Sequence, residues 1–286
     1  MRSGFVGVAG RPNVGKSTLV NALAGGKVAI VSDKPQTTRH RIRGVVTGDD
    51  SQLVLVDLPG FQRPRDALTE RMQRTVDESL VDVDAVLFVL DARQRIGAGD
   101  RFIARRVFGL GRPVVVALNK VDRLKPAHIA QQMQSGAALG DFHALHPVSA
   151  KTGEGVAELR QELAELLPEG PQYYPSAQRT DLPLELQLAE LVREKALALT
   201  REEVPHAITV EVEELTERVV RAVLYVETES QKQILVGKGG RTVREIGTRA
   251  RPEIELLLGH PVFLDLRVKV RPSWRRDEAM LERLGM

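Results

Sequence analysis

Gly10-Arg11-Pro12-Asn13-Val14-Gly15-Lys16-Ser17 is the stretch from which the rest of the chain is read. It has the form G-x-x-x-x-G-K-S and follows the apolar run Phe5-Val6-Gly7-Val8-Ala9. A strand, a glycine-containing turn and a helix in that order turn backbone N–H groups inward around a polyphosphate. Lys16 is expected to reach the outer phosphates and the Ser17 hydroxyl to face Mg²⁺, with Thr18 the last residue of the contact. The helix expected over residues 16–23 aims its positive dipole end at the same anion.

A second motif identifies the base. Asn119-Lys120-Val121-Asp122 follows the apolar run Val114-Val115-Val116-Ala117-Leu118. A carboxylate at Asp122 accepts from both N1–H and the exocyclic amine of guanine. Adenine has no such donor pair and would leave a polar group unpaired, at a cost that disfavours ATP. Ser149-Ala150-Lys151, after His146-Pro147-Val148, is expected to support the base through backbone N–H groups.

Two further segments lie between these motifs. Asp57-Leu58-Pro59-Gly60 ends the run Leu53-Val54-Leu55-Val56. Asp57 would hold Mg²⁺ through water, and the Gly60 N–H would meet the γ-phosphate because no side chain blocks its approach. In Gln36-Thr37-Thr38-Arg39-His40 one threonine is expected to close over Mg²⁺ and the γ-phosphate, Thr38 in preference to Thr37. A loop that orders on the triphosphate and relaxes after hydrolysis makes a switch.

The motifs G-R-P-N-V-G-K-S, P-Q-T-T-R-H, D-L-P-G, N-K-V-D and S-A-K, in that order over residues 10–151, resemble the Era family of bacterial GTPases. The resemblance implies a Ras-like α/β domain with a mostly parallel sheet, GTP and GDP as ligands, and hydrolysis of GTP to GDP and phosphate. Lys16, Thr38, Gly60 and Asn13 are then the residues expected to act on the transferred phosphoryl group. Phe61 stands where Ras-type switches carry a water-positioning Gln, and Phe cannot orient water by hydrogen bonding. Gln62 is one place further on. Related GTPases with a hydrophobic residue there use a monovalent cation held partly by a phosphate-loop Asn. Asn13 matches that position, which implies K⁺; the other reading of Asn13 is a turn former.

The second half reads differently. Residues 168–182 are rich in Pro and turn formers and lack apolar periodicity, as a linker would be. The expected organisation is a GTPase domain at 1–170, a linker at 171–182 and a second domain at 183–286. A helix, two strands, a short helix, a longer helix and a last strand follow the linker. Gly237-Lys238-Gly239-Gly240 lies between the two later helices. This order resembles a type II KH domain, an α+β module smaller than the first. Its G-x-x-G loop lets a sugar–phosphate backbone approach closely, with Lys238, Arg241 and Arg244 beside it. Between Lys232 and Arg276 stand eleven basic residues and four acids, whereas 202–217 holds six acids and no Lys or Arg. Basic charge concentrated around the loop suits RNA. Trp274 among arginines either stacks on a base or packs in the core.

The resemblance to Era runs over nearly the whole chain. It implies binding near the 3′ end of small-subunit (16S) rRNA, a role in 30S assembly, and a monomer in the cytoplasm, with peripheral contact at the inner face of the cell membrane as a further possibility. Composition sets outer bounds. The 286 residues suffice for two domains, and the net charge of +3 makes the basicity local. With no cysteine, disulfides, thiolate metal sites and Cys nucleophiles are excluded. No apolar run approaches the length of a membrane span.

Overall fold

The computed structural model describes residues 1–34, 36–61 and 64–286. The chain divides into two compact units. The first comprises Met1–Val31, Thr38–Arg65 and Thr69–Asp181; the second comprises Ser32–Thr37, Asp66–Leu68 and Leu182–Met286.

The first unit is built on a six-stranded sheet. Its elements are β1 (Arg2–Ala9), α1 (Lys16–Ala24), β2 (Ile42–Thr47), β3 (Ser51–Asp57), α2 (Ala67–Val81, of this unit from Thr69 onward), β4 (Ala85–Asp91), α3 (Ala98–Phe108), β5 (Val114–Asn119), α4 (Pro126–Ala137), β6 (Ala144–Val148) and α5 (Val156–Glu165). The strand order is β2-β3-β1-β4-β5-β6. Only the β2–β3 pair is antiparallel. The central strands are apolar along their whole length because both faces are covered. In β4, Ala85, Leu87 and Val89 face the cluster made with Leu19 and Leu23 of α1 and Leu159 and Leu163 of α5. Val86, Phe88 and Leu90 face Val76 and Leu80 of α2 and Ile103 and Val107 of α3. Because β3, β1, β4 and β5 run parallel, the loops that follow them lie at one edge of the sheet.

The segment expected as a linker is fixed to this unit up to Asp181. Gln52 Oε1 accepts from the N–H groups of Tyr173 and Tyr174 at 2.8 and 2.9 Å, and Gln52 Nε2 donates to Tyr174 O at 2.7 Å. Val45 N–H donates to Arg179 O at 2.9 Å, forming a bridge on the free edge of β2. Arg43 pairs with Asp181 at 2.7 Å. The Pro-rich composition prevents a helix, but it leaves carbonyls and N–H groups that satisfy an exposed strand edge.

The second unit contains α6 (Leu184–Leu199), α7 (Val204–Ala207), β7 (Thr209–Leu215), β8 (Val219–Val226), α8 (Glu229–Val236), α9 (Arg241–Leu258), β9 (Phe263–Val270) and α10 (Glu278–Arg283). Strand order is β7-β8-β9, with β8–β9 parallel. Leu188, Val192 and Ala196 of α6 and Ile246, Ala250 and Ile254 of α9 cover one face of the sheet. Their spacing of four residues marks one stripe on each helix. Trp274 is fully buried and its indole N–H donates to Ala207 O at 2.8 Å. It is a core residue, and the reading as a base-stacking platform is set aside. Among the described residues, no helix is long and apolar enough to cross a membrane.

Candidate functional site

The first site lies between β1 and α1. Gly15 has φ +98, and a Cβ there would meet Asn119 Nδ2 at 2.4 Å, so the turn excludes a side chain. Helix α1 begins without a side-chain cap and without an acid in its first turn, which leaves its N–H groups for an anion. Lys16 is buried, and its ammonium donates to the carbonyls of Gly10 and Arg11 at 3.3 and 3.1 Å. Burial, only partly offset by Asp57, lowers its pKa to about 8.

Three oxygens converge beside Lys16. Ser17 Oγ donates to Asp57 Oδ2 at 2.7 Å and lies 2.9 Å from Thr38 Oγ1, which in turn donates to Asp57 Oδ2 at 3.3 Å. Asp57 Oδ1 is buried without a partner among the described residues. Burial pushes this carboxyl up, against the opposing pull of Lys16 and the two hydroxyls. Thr37 is turned elsewhere: within the second unit its hydroxyl donates to Lys34 O at 2.6 Å and its carbonyl accepts from Arg193. Thr38 is therefore the threonine that joins the cluster. Leu58 and Pro59 are buried, and a Cβ on Gly60 would meet Pro12 N at 2.9 Å. Phe61 is buried in the core, and Gln62 lies outside the described residues.

The base end is organised around Asn119, which is buried. Its amide donates to Val14 O at 3.0 Å, and its Oδ1 accepts from Lys120 N and Ala150 N at 2.8 and 3.0 Å. One side chain thus ties the phosphate loop, N-K-V-D and S-A-K together. Ser149 Oγ donates to Asp122 Oδ1 at 2.8 Å, and this hydrogen bond holds the Asp122 carboxyl below its usual range. Lys151 is exposed. Lys120 donates to Asn13 O and to Asp91 Oδ2, the latter at 2.8 Å. Asp91, at the end of β4, is a residue that motif reading misses. Burial would raise its pKa, yet hydrogen bonds from Arg93 and Lys120 bring it below the ordinary value. The available signal was a lone acid ending the apolar run Ala85 to Leu90. The side chain of Arg11, a loop residue, is engaged with Asp100 and Gln94, donating to Asp100 Oδ1 at 2.7 Å and to Gln94 Oε1 at 3.0 Å.

The second unit carries its own surface feature. The turn Gly237-Lys238-Gly239-Gly240 joins α8 to α9, and Gly237, at φ +71, has no room for a Cβ, which would meet Thr242 N at 2.9 Å. Beside it is a cavity of about 410 Å³ lined by Val243, Arg244, Gly247, Arg251, Phe263 and Leu266. Phe263 is 68% exposed at its rim; the sequence reading did not single it out. Not all the basic residues of this region are available. Arg267 pairs with Asp265, Lys269 with Glu213, Arg271 with Asp277 and Arg275 with Glu227, so scattered acids, of which only Glu213 belongs to the acidic stretch, partly neutralise the basic one. Lys238, Arg241, Arg244 and Arg276 have no acidic partner among the described residues, and three of these four stand at or next to the turn.

A family model described as "50S ribosome-binding GTPase" matches residues 5–120, and one described as "KH domain" matches residues 203–275. GTPase Era of a Nocardioides species is 48% identical over 300 aligned positions, covering 99% of this chain and 96% of the relative. The chain belongs to the GTPase Era family. It is a GTP-hydrolysing enzyme with a Ras-like domain and a KH domain. GTPase Era of Carboxydothermus hydrogenoformans is 45% identical, covering 99% of this chain and 97% of the relative. Among solved structures, an Aquifex aeolicus Era variant bound to GDP·AlF4⁻ superposes with a TM-score of 0.96 at 39% identity, covering 100% of this chain and 99% of the other. An Era complex with MgGDPNP and nucleotides 1506–1542 of 16S ribosomal RNA gives a TM-score of 0.94 at 39% identity, with the same coverage.

Proposed function

We propose that this chain is a GTP-timed switch that binds single-stranded RNA at the 3′ end of 16S rRNA and assists assembly of the 30S subunit. In the first unit, residues 10–18 surround the phosphates, and Asn119, Lys120, Asp122 and Ser149–Lys151 take the guanine. Ser17, Thr38 and Asp57 would hold Mg²⁺. The donor set fits a hard cation: two hydroxyls and one carboxylate with an orphaned buried oxygen. A lone carboxylate suits Mg²⁺, which takes its remaining oxygens from phosphate and water. When bound, the ion neutralises charge on the β- and γ-phosphates. Lys16 places its ammonium on the outer phosphates and the Gly60 N–H donates to the γ-phosphate. A K⁺ ion beside Asn13 would supply further positive charge to the phosphates.

One observation carries the RNA half of the reading: Arg244 lines a cavity of mixed polarity rimmed by an exposed aromatic ring, with Lys238 and Arg241 at the turn next to it. Backbone phosphates meet Lys238, Arg241 and the start of α9, while unstacked bases enter the cavity against Phe263. The Era complex with a 16S fragment supports the choice of RNA. A direct test measures binding of a single strand from the 3′ end of 16S rRNA to the intact protein and to Phe263→Ala. The variant is expected to lose about tenfold or more in affinity, since one base–aromatic stack contributes 1–3 kcal/mol. Equal affinities would remove the cavity from the interface. Tighter binding to anionic vesicles than to the RNA would favour a membrane-surface role.

A further inference from the structure

From Arg93 to Arg112 the first unit holds six arginines, at 93, 95, 101, 105, 106 and 112, and one acid, Asp100. Asp100 is buried and turned inward, where it accepts from Arg11 and from Gly97 N–H. Arg93 pairs with Asp91 and Arg106 with Asp77. Arg95, Arg101, Arg105 and Arg112 are exposed and have no acidic partner among the described residues. Arg101, Phe102 and Arg105 lie at the three- and four-residue spacings of one helix face, and Phe102 is 54% exposed between the two cations.

Arg105 in the last turn of α3 favours the helix dipole, but Arg101 four residues before it works against that gain. Like charges four residues apart destabilise a helix by a few tenths of a kcal/mol. An ordinary solvated face interleaves opposite charges, as α9 does with Glu245–Arg249 and Arg251–Glu255. Helix α3 has neither such pairing nor a polar residue at 102.

We propose that the outer face of α3, with Arg95 and Arg112 flanking it, is a second RNA-binding surface, separate from the G-x-x-G turn. The arginines take backbone phosphates, and Phe102 takes the face of an unstacked base or a ribose. A lipid surface fits less well, because Ile103, Ala104 and Val107 are committed to the core and only one apolar side chain remains to enter a bilayer. A protein partner would need more apolar area than a single ring provides. The proposal rests on the reading of the chain as an RNA binder.

The test uses the full chain, with an RNA hairpin carrying a single-stranded tail and, separately, the tail alone. The double substitution Arg101→Ala with Arg105→Ala is expected to weaken hairpin binding about tenfold and to flatten the dependence of log K on log salt by about 1.5. Phe102→Ser is expected to weaken hairpin binding several-fold. Both variants should keep the melting temperature, GTP hydrolysis and tail binding of the unaltered protein, and ultraviolet cross-linking of the unaltered protein should map to the α3 peptide. Hairpin affinity and salt slope unchanged by the substitutions, or cross-links absent from α3, would overturn the proposal, as would variants impaired on anionic vesicles but not on RNA. Failure of tail binding in the unaltered protein would instead count against the KH reading.

Discussion

Ser17 Oγ donates to Asp57 Oδ2 at 2.7 Å across a sequence separation of 40 residues. The second oxygen of Asp57 is buried and unpartnered, and a buried, half-satisfied carboxylate is costly. A divalent cation on that oxygen removes the cost. We expect Asp57→Ala to lower GTP turnover by about a hundredfold or more and to abolish the effect of Mg²⁺ on nucleotide affinity. A Mg²⁺ titration followed by nucleotide fluorescence checks this; a persisting Mg²⁺ response would place the ion elsewhere.

Asp91 should matter for nucleotide affinity although it is remote from the motifs. It accepts from Lys120 at 2.8 Å and holds that side chain against the phosphate loop. Asp91→Asn keeps the shape and removes the charge. Losing a charge-assisted hydrogen bond costs about 1.5–3 kcal/mol, so GDP affinity is expected to fall by about tenfold to a hundredfold. Equilibrium titration with a fluorescent GDP reads it, and unchanged affinity would reduce Asp91 to a packing residue.

Asp122 should set the choice of base. Asn at 122 presents an amide donor where guanine presents an amine donor, but pairs with the C2 carbonyl of xanthine. Asp122→Asn is therefore expected to weaken GDP binding by about tenfold or more and to favour xanthosine diphosphate, measured by competition. The Ser149 hydrogen bond keeps the Asp122 carboxyl below its ordinary pKa. Base recognition needs the ionised form, which is lost only as pH falls through that lowered value. Guanine selectivity over hypoxanthine, whose N1–H stays protonated throughout, should accordingly stay flat from about pH 7 to pH 5, and a midpoint inside that window would contradict the assignment.

Phe61 is buried, so it offers no polar group to an attacking water. A monovalent cation at Asn13 predicts GTP turnover about tenfold or more faster in K⁺ than in Na⁺ at equal ionic strength, with the difference erased by Asn13→Ala. Equal rates in the two salts would remove the cation from the account.

Much of this was legible because each nucleotide motif sits at the end of an apolar strand, and parallel strands bring those ends to one edge of the sheet. Gly10 to Ser17, Asp57 to Gly60 and Asn119 to Asp122 are all placed that way. What stayed hidden depends on partners far apart in sequence. Asp91 is one acid among many until Lys120 reaches it. The segment around Tyr174 looks unstructured until Gln52, 122 residues away, supplies both halves of an amide pair. Charge counting overstated the RNA surface, because Lys269 and Arg275 are neutralised by Glu213 and Glu227. Phe263 lies in a strand with ordinary alternation, and only the cavity beside Gly247 gives its exposure a use.

The most direct test of the central claim is the affinity for a single strand from the 3′ end of 16S rRNA, measured at one salt concentration with a non-hydrolysable GTP analogue and with GDP. Gly239→Asp serves as the control: Gly239 faces open space at φ +63, and Asp tolerates that conformation better than most residues while repelling phosphate. The account predicts sequence-selective binding that is stronger in the GTP-analogue form and lost in the variant. Affinity that is the same for scrambled RNA, for both nucleotides and for Gly239→Asp would contradict it.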